Sequence, residues 1–216
     1  MRADQPGYIV VEGPIGVGKT SLARRLAESL GVELLLESAD ANPFLERFYE
    51  EPLQAALPTQ LYFLFQRARQ IQALRQGDMF RRGRVADFLF EKDRVFAHLT
   101  LDDDELRLYE QVHERLAVDA PPPDLVIYLQ APVEVLLRRI VARGVPHERL
   151  IEAAYLQRLC DAYADFFYHY AAAPLLIVNA TEIDTVNNDA DYALLLERIR
   201  ATRSGRHYFN PVPIAL

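Results

Sequence analysis

Eight residues constrain this chain more than any others: GPIGVGKT, Gly13 to Thr20. They fit GxxxxGK[ST] and lie between an apolar run, YIVVE at 8–12, and an amphipathic stretch, Lys19 to Leu30, in which Leu22, Leu26 and Leu30 recur at i, i+4 and i+8. A strand, a glycine loop and a helix in that order build a phosphate cradle. The glycines let backbone N–H groups turn inward, the helix N-terminus adds a favourable field, and Lys19 supplies a point charge toward the β and γ phosphates. Thr20 offers its hydroxyl to a magnesium ion. Gly13, Pro14, Ile15, Gly16, Val17, Gly18, Lys19 and Thr20 are therefore the candidate ligands of a nucleoside triphosphate. The loop alone does not say where the phosphoryl group goes.

Four further apolar runs space the rest of the chain: VELLL at 32–36, RVADF at 84–88, LVIYL at 125–129 and LLIV at 175–178. Near-continuous apolarity, rather than alternation, marks strands buried on both faces, as in a parallel sheet covered by helices. Helical stretches fall between them: Thr59 to Gly77 with Gly77 as a stop, Asp102 to Leu116, Val133 to Arg143, Ile151 to Tyr170 and Asp191 to Ile199. The expected architecture is a three-layer α/β domain, a five-stranded parallel sheet flanked by helices, with residues 1–216 as one unit. No repeat or low-complexity linker divides the chain, and the proline cluster in AVDAPPPDLVIYLQAP reads as the loop feeding the strand at 125. The final TRSGRHYFNPVPIAL has no period that assigns it an element.

A net charge of −7 and a pI near 5.3 disfavour non-specific binding to a nucleic acid polymer. The single cysteine, Cys160, leaves no intrachain disulfide, and no Cys/His cluster has zinc-ligand spacing. The five histidines, His98, His113, His147, His169 and His207, are scattered. With no secretory leader and no run of eighteen apolar residues, a cytoplasmic protein without a membrane segment is expected.

Beyond the loop, the charged residues narrow the chemistry. Glu37 follows VELLL, so its carboxylate falls at the C-terminal edge of the sheet, where open α/β folds bind ligands. It is a candidate general base for an attacking hydroxyl, the alternative being a solvated glutamate. Asp87 near the end of RVADF repeats that placement, and could hold magnesium, help position the hydroxyl or cap a helix. Between them, Phe44, Phe48, Tyr49, Tyr62, Phe63 and Phe65 offer stacking or core packing, and Gln60 and Gln66 can match the mixed edge of a nucleobase. Arg138, Arg139 and Arg143 cluster at one end of a helix; Arg139 and Arg143, four apart, share a face and could clamp a transferring phosphoryl as a lid closes.

The ordered set YIVVEGPIGVGKT, ESADANPFLERFYE, TQLYFLFQRARQ, VADFLFEKDRVFA, LRRIVARGVPHE and LLIVNATEID resembles the deoxynucleoside kinase family, its bacterial members in particular, over nearly the whole chain. The resemblance implies a P-loop kinase fold with a short arginine-bearing lid at about 138–150, and transfer of the γ phosphoryl of ATP, with Mg2+, to the 5′-hydroxyl of a deoxynucleoside. It implies Glu37 as the general base, Tyr49 as a holder of the sugar 3′-hydroxyl, and Gln60, eleven residues beyond Tyr49 as in the family, as the reader of the base edge. Lys19, Arg139 and Arg143 then act on the phosphates, Arg138 and Arg139 beside the nucleotide, Glu148 on the sugar, and Thr20, with Asp87 as a second candidate, on the metal. A homodimer is the family default. In the family the acid ending the third strand is followed by arginine and serine, with another arginine seven residues beyond the acid. This chain keeps Asp87 and Arg94 but has Phe88 and Leu89 where the pair belongs. Phenylalanine supplies neither charge nor donors, and Arg67 on the preceding helix is a candidate substitute.

Two rival functions stay in view. A nucleoside monophosphate kinase shares the fold, yet would favour extra cations around its acceptor, where ESADANPFLERFYE is acidic and amide-rich. A nucleotide-binding regulator without turnover would fit Phe88 and Leu89.

Overall fold

The computed structural model describes residues 7–76, 83–116, 120–185 and 188–211. Six strands form one sheet: β1 (Tyr8–Glu12), β2 (Glu33–Leu35), β3 (Arg84–Ala86), β4 (Leu125–Gln130), β5 (Leu175–Asn179) and β6 (Arg206–Phe209), in the order β2-β3-β1-β4-β5-β6. Every neighbouring pair is parallel. Ile9, Val10 and Val11 of β1, Val126 and Ile127 of β4, and Leu176 and Val178 of β5 are wholly buried, which is what their uninterrupted apolarity demanded. At the opposite edge from the ligand end, Asp124 Oδ2 accepts the N–H groups of both Gly7 and Tyr8 at 2.7 Å, pinning the start of β1 beside β4.

Around the sheet run α1 (Lys19–Leu30), α2 (Leu45–Glu50), α3 (Pro52–Gln76), α4 (Asp93–Thr100), α5 (Asp103–Leu116), α6 (Val133–Arg143), α7 (Ala153–His169) and α8 (Asp189–Ala201). Leu22 and Leu26 bury the inner face of α1. The three-layer α/β expectation holds, with two differences. The sheet has a sixth strand, β6, inside a tail that showed no period. It forms because Arg206 donates to the carbonyls of Phe167, Tyr168 and Tyr170, tying the end of α7 to β6, which pairs in parallel with β5. A short edge strand with polar residues gives no burial signal. The long helix α3 begins at Pro52, not Thr59, and runs through Pro58. Pro52 loses nothing at a first-turn position, whose N–H has no intrahelical partner, so the first proline starts the helix rather than preceding it. The expected stop at Gly77 lies outside the described residues, as do residues 212–216 of the tail.

Because all strands are parallel, Glu12 at the end of β1, Glu37 just past β2 and Asp87 just past β3 share one edge of the sheet. The chain fills one side of β1 with β3 and β2 and the other with β4, β5 and β6. The reversal therefore falls at β1, whose exit is the phosphate loop.

Candidate active site

The loop leaves β1 under tight steric control. Gly16 has φ 82°, and a Cβ there would lie 2.8 Å from Ile140 Cγ1 and 2.9 Å from the Leu136 carbonyl of α6; at Gly13 a Cβ would lie 2.5 Å from the Leu129 carbonyl of β4. Only glycine lets the loop sit this close to both elements. Lys19 Nζ folds back onto the carbonyls of Gly13 (2.7 Å) and Pro14 (3.2 Å). Burial, with Lys92 adding to it, pulls its pKa down to about 8 against the opposing pull of Glu12, Glu37 and Asp87.

Asp87 joins the loop to Glu37. Thr20 Oγ1 donates to Asp87 Oδ2 at 2.5 Å, and the backbone N–H of Glu37 donates to Asp87 Oδ1 at 2.7 Å. A hydroxyl and a carboxylate in contact beside a phosphate cradle are hard oxygen donors, a set that fits Mg2+. Among the described residues no group of three or more His, Cys, Asp or Glu could hold a metal. The remaining ligands would be nucleotide oxygens and water.

Glu37 itself, 16% exposed, is gripped by Arg67 Nη2 through Oε1, and its Oε2 lies 3.5 Å from Lys92 Nζ. Burial alone would raise its pKa; Arg67, Lys92 and Lys19 overcome that and hold it at about 2. The carboxylate is thus ionised and aimed at a cleft of about 140 Å³, lined on the loop side by Ile15, Gly16, Lys19 and Thr20 and on the far side by Tyr49, Gln60, Phe63, Phe96, Arg143, Glu148 and Tyr155. Gln60 Nε2 donates to Thr100 Oγ1 (3.3 Å), whose own hydrogen goes to the Phe96 carbonyl (2.7 Å). Thr100 can therefore only accept, which leaves the Gln60 carbonyl oxygen and one N–H for a ligand. Tyr49 stacks on His147 at 5.9 Å, so the turn Pro146–Leu150 already covers it, and Arg143 pairs with Glu148 beside them.

The deoxynucleoside kinase family model matches residues 9–202. The chain belongs to the deoxynucleoside kinase family. It is 32% identical to the deoxyguanosine kinase of Bacillus subtilis (strain 168) over 200 residues, covering 90% of this chain and 94% of that protein. It is 31% identical to the deoxyadenosine kinase of Lactobacillus acidophilus over 195 residues, covering 83% and 88%. Among solved structures, the deoxyadenosine kinase from M. mycoides with bound dATP superposes with a TM-score of 0.77 at 23% identity, over 89% of this chain and 98% of that one, which speaks for the fold. As a deoxynucleoside kinase the protein is a phosphotransferase that uses ATP to convert a deoxynucleoside to its monophosphate at a hydroxyl acceptor. Family membership decides against the monophosphate kinase.

Not every residue expected at the site of this kinase is brought there. Arg94 pairs with Glu110 at 2.8 Å, half exposed, outside the cleft. Its neighbour Asp93 is the buried one, and adjacent residues of a helix cannot share a face. Of the lid arginines only Arg143 lines the cleft. Arg139 donates to the carbonyls of Val17 (3.3 Å) and Ala180 (2.7 Å), bracing the loop from behind, and Arg138 is exposed. Phe88 packs at 0% exposure into the core.

Sequence reasoning missed Glu12, Lys92, Asp93, Tyr155 and Tyr163. Glu12 is a buried carboxyl group with full provision: Oε1 accepts from Gly13 N and Tyr163 Oη, Oε2 from Leu89 N, all at 2.9 Å, and Lys92 Nζ stands 3.6 Å from Oε2. Arg67 bridges Glu37 and Asp93. One signal was in plain view: of 24 basic residues 22 are arginine, and the two lysines, Lys19 and Lys92, line the same cleft.

Proposed function

We propose that this kinase binds ATP with Mg2+ on Gly13–Thr20 and a purine or cytosine deoxynucleoside in the cleft lined by Tyr49, Gln60 and Glu148, with Glu37 as the base. The Glu37 carboxylate, held by Arg67 and Lys92 in the wall of the cleft that Lys19 and Thr20 also line, is the observation that carries this reading. A Glu37 oxygen takes the 5′-hydroxyl proton as the 5′ oxygen forms its bond to the γ phosphorus; the bond from that phosphorus to the bridging oxygen breaks and its electrons leave with ADP. Lys19 and Arg143 offset the charge on the phosphoryl oxygens; Thr20 and Asp87 would hold the metal ion, which would supply further neutralisation of charge on the phosphates. Most of the rate gain is positioning and electrostatics.

The free carbonyl and N–H of Gln60 can meet the mixed edge of adenine, cytosine or guanine. Relatives named as deoxyguanosine and deoxyadenosine kinases favour a purine. Exposed Phe65 on α3 and Leu108 on α5, two helices packed together, support a homodimer. Among the described residues no helix is long and apolar enough to cross a membrane, which supports the cytoplasmic reading. The test is product formation by purified protein with ATP, magnesium and a panel of deoxynucleosides, ribonucleosides and monophosphates. Turnover is expected with purine deoxynucleosides; turnover with monophosphates alone would overturn the acceptor assignment.

A further inference from the structure

Phe88 leaves this kinase without the arginine that the family resemblance places after the strand-end acid, and the core closes over the phenylalanine ring. A cation nevertheless stands beside the base. Lys92 belongs to a single turn of 3-10 helix, Phe90–Lys92, five residues beyond Asp87, and its side chain is 2% exposed. Its ammonium lies 3.6 Å from Glu12 Oε2, 3.5 Å from Glu37 Oε2 and 5.3 Å from the centre of the Phe96 ring.

Two features make this more than a satisfied ion pair. Glu12 is the last residue of β1, and the carboxylate that faces Lys92 also accepts the N–H of Gly13, the first residue of the phosphate loop. The chain Gly13, Glu12, Lys92, Glu37 therefore runs without a break from the donor cradle to the acceptor base. Glu12 already has three neutral donors, so it does not require Lys92 for its own satisfaction. The second feature is the residue type. A sequence that is arginine at 22 of 24 basic positions keeps lysine at only two, and both line this cleft. A compact ammonium presents one charge to two carboxylates at nearly equal distance, whereas Arg67, on the other side of Glu37, reaches Glu37 and Asp93 with two separate nitrogens of its planar fork.

We infer that Lys92 is the positioning residue of this kinase in place of the missing arginine: through its ammonium it fixes the Glu37 carboxylate relative to the phosphate loop, so that the 5′ oxygen is presented in line with the γ phosphorus. The proton from the hydroxyl goes to Glu37, not to Lys92. The inference rests on Glu37 being the base, and its test separates the two.

Lys92→Met, Lys92→Arg, Glu37→Gln and the double variant Glu37→Gln/Lys92→Met are assayed as full-length protein with ATP, magnesium and the best deoxynucleoside, alongside thermal melts. Lys92→Met is expected to lose about 100-fold in kcat with KM values for both substrates within about threefold, and to melt lower than the native enzyme because the buried Glu12 loses its cation; kcat is therefore compared well below the lower midpoint. Lys92→Arg is expected to recover about tenfold of that loss, since it restores charge without the compact geometry. Since Lys92 acts through Glu37, the double variant is expected to be no more than about threefold slower than Glu37→Gln alone. If Lys92→Met does not fold, Lys92→Gln, which keeps a polar head in the slot, carries the same expectations. A normal kcat in the uncharged variant, or losses that multiply in the double variant while Glu37→Gln alone is slow, would overturn the role of Lys92. A Glu37→Gln enzyme with an unchanged rate would instead overturn the base.

Discussion

The two halves of the active site are built in opposite ways. The donor half is one continuous stretch, Gly13 to Thr20, in which strand, turn and helix follow directly and the steric demands fall on single glycines such as Gly16. The acceptor half is gathered from scattered places: Glu37 after β2, Tyr49 on α2, Gln60 and Arg67 on α3, Lys92 before α4, Arg143 on α6 and Glu148 beyond it. A contiguous site carries its function in spacing alone. A dispersed one exists only once the parallel sheet has brought its strand ends to one edge, so its members are legible only as far as the fold is.

That contrast predicts a graded response to mutation. The largest effect belongs to the donor half: Lys19→Ala is expected to cost about 1,000-fold in kcat/KM while the melting midpoint holds, as read by steady-state assay and thermal melt. Near-normal turnover would break the donor assignment.

Next comes pH. Burial, above all, sets the Lys19 pKa at about 8 in the unliganded protein, below its ordinary 10.5. Between those values the folded protein binds fewer protons at Lys19 than the unfolded chain, so this group's contribution to stability rises with pH across that window. The triphosphate needs the charged form. ATP affinity is therefore expected to fall by up to about tenfold per pH unit above pH 8, with a proton taken up on binding, both measurable by titration calorimetry in buffers of different ionisation enthalpy.

On the acceptor side a single neutral contact should matter less. Tyr49→Phe is expected to raise KM for the deoxynucleoside about fivefold, the worth of one hydrogen bond of about 1 kcal/mol, with kcat little changed. The smallest effect is assigned to Arg94→Gln. Its ion pair with Glu110 is half exposed and outside the cleft, so activity should stay within about twofold; a larger loss would put Arg94 back at the site.

The same contrast explains how far the sequence could be read. Strands β1, β4 and β5 announced themselves because burial on both faces leaves no charged or amide side chain in them before the last residue. β6 did not, since its opening arginine serves the end of α7 rather than a core. Pro58 hid the true start of α3. Glu37 was found from its place after an apolar run. Glu12 and Lys92 were not, because a charge inside a buried segment has meaning only when its partner is known, and their partners lie 80 residues away in FEKDR and at the end of β1. Arg94 and Arg139 kept their spacing yet face other ways, which spacing cannot report.

The central claim is that Glu37 is the base on which the dispersed acceptor half converges. Rapid-quench measurement of the first turnover, with enzyme in excess over deoxynucleoside and saturating ATP and magnesium, isolates the chemical step in the native enzyme and in Glu37→Gln. A chemical step slowed by at least about 100-fold, with substrate binding retained, is what this arrangement predicts. An unchanged chemical step would contradict it and leave the carboxylate as a structural partner of Arg67 and Lys92.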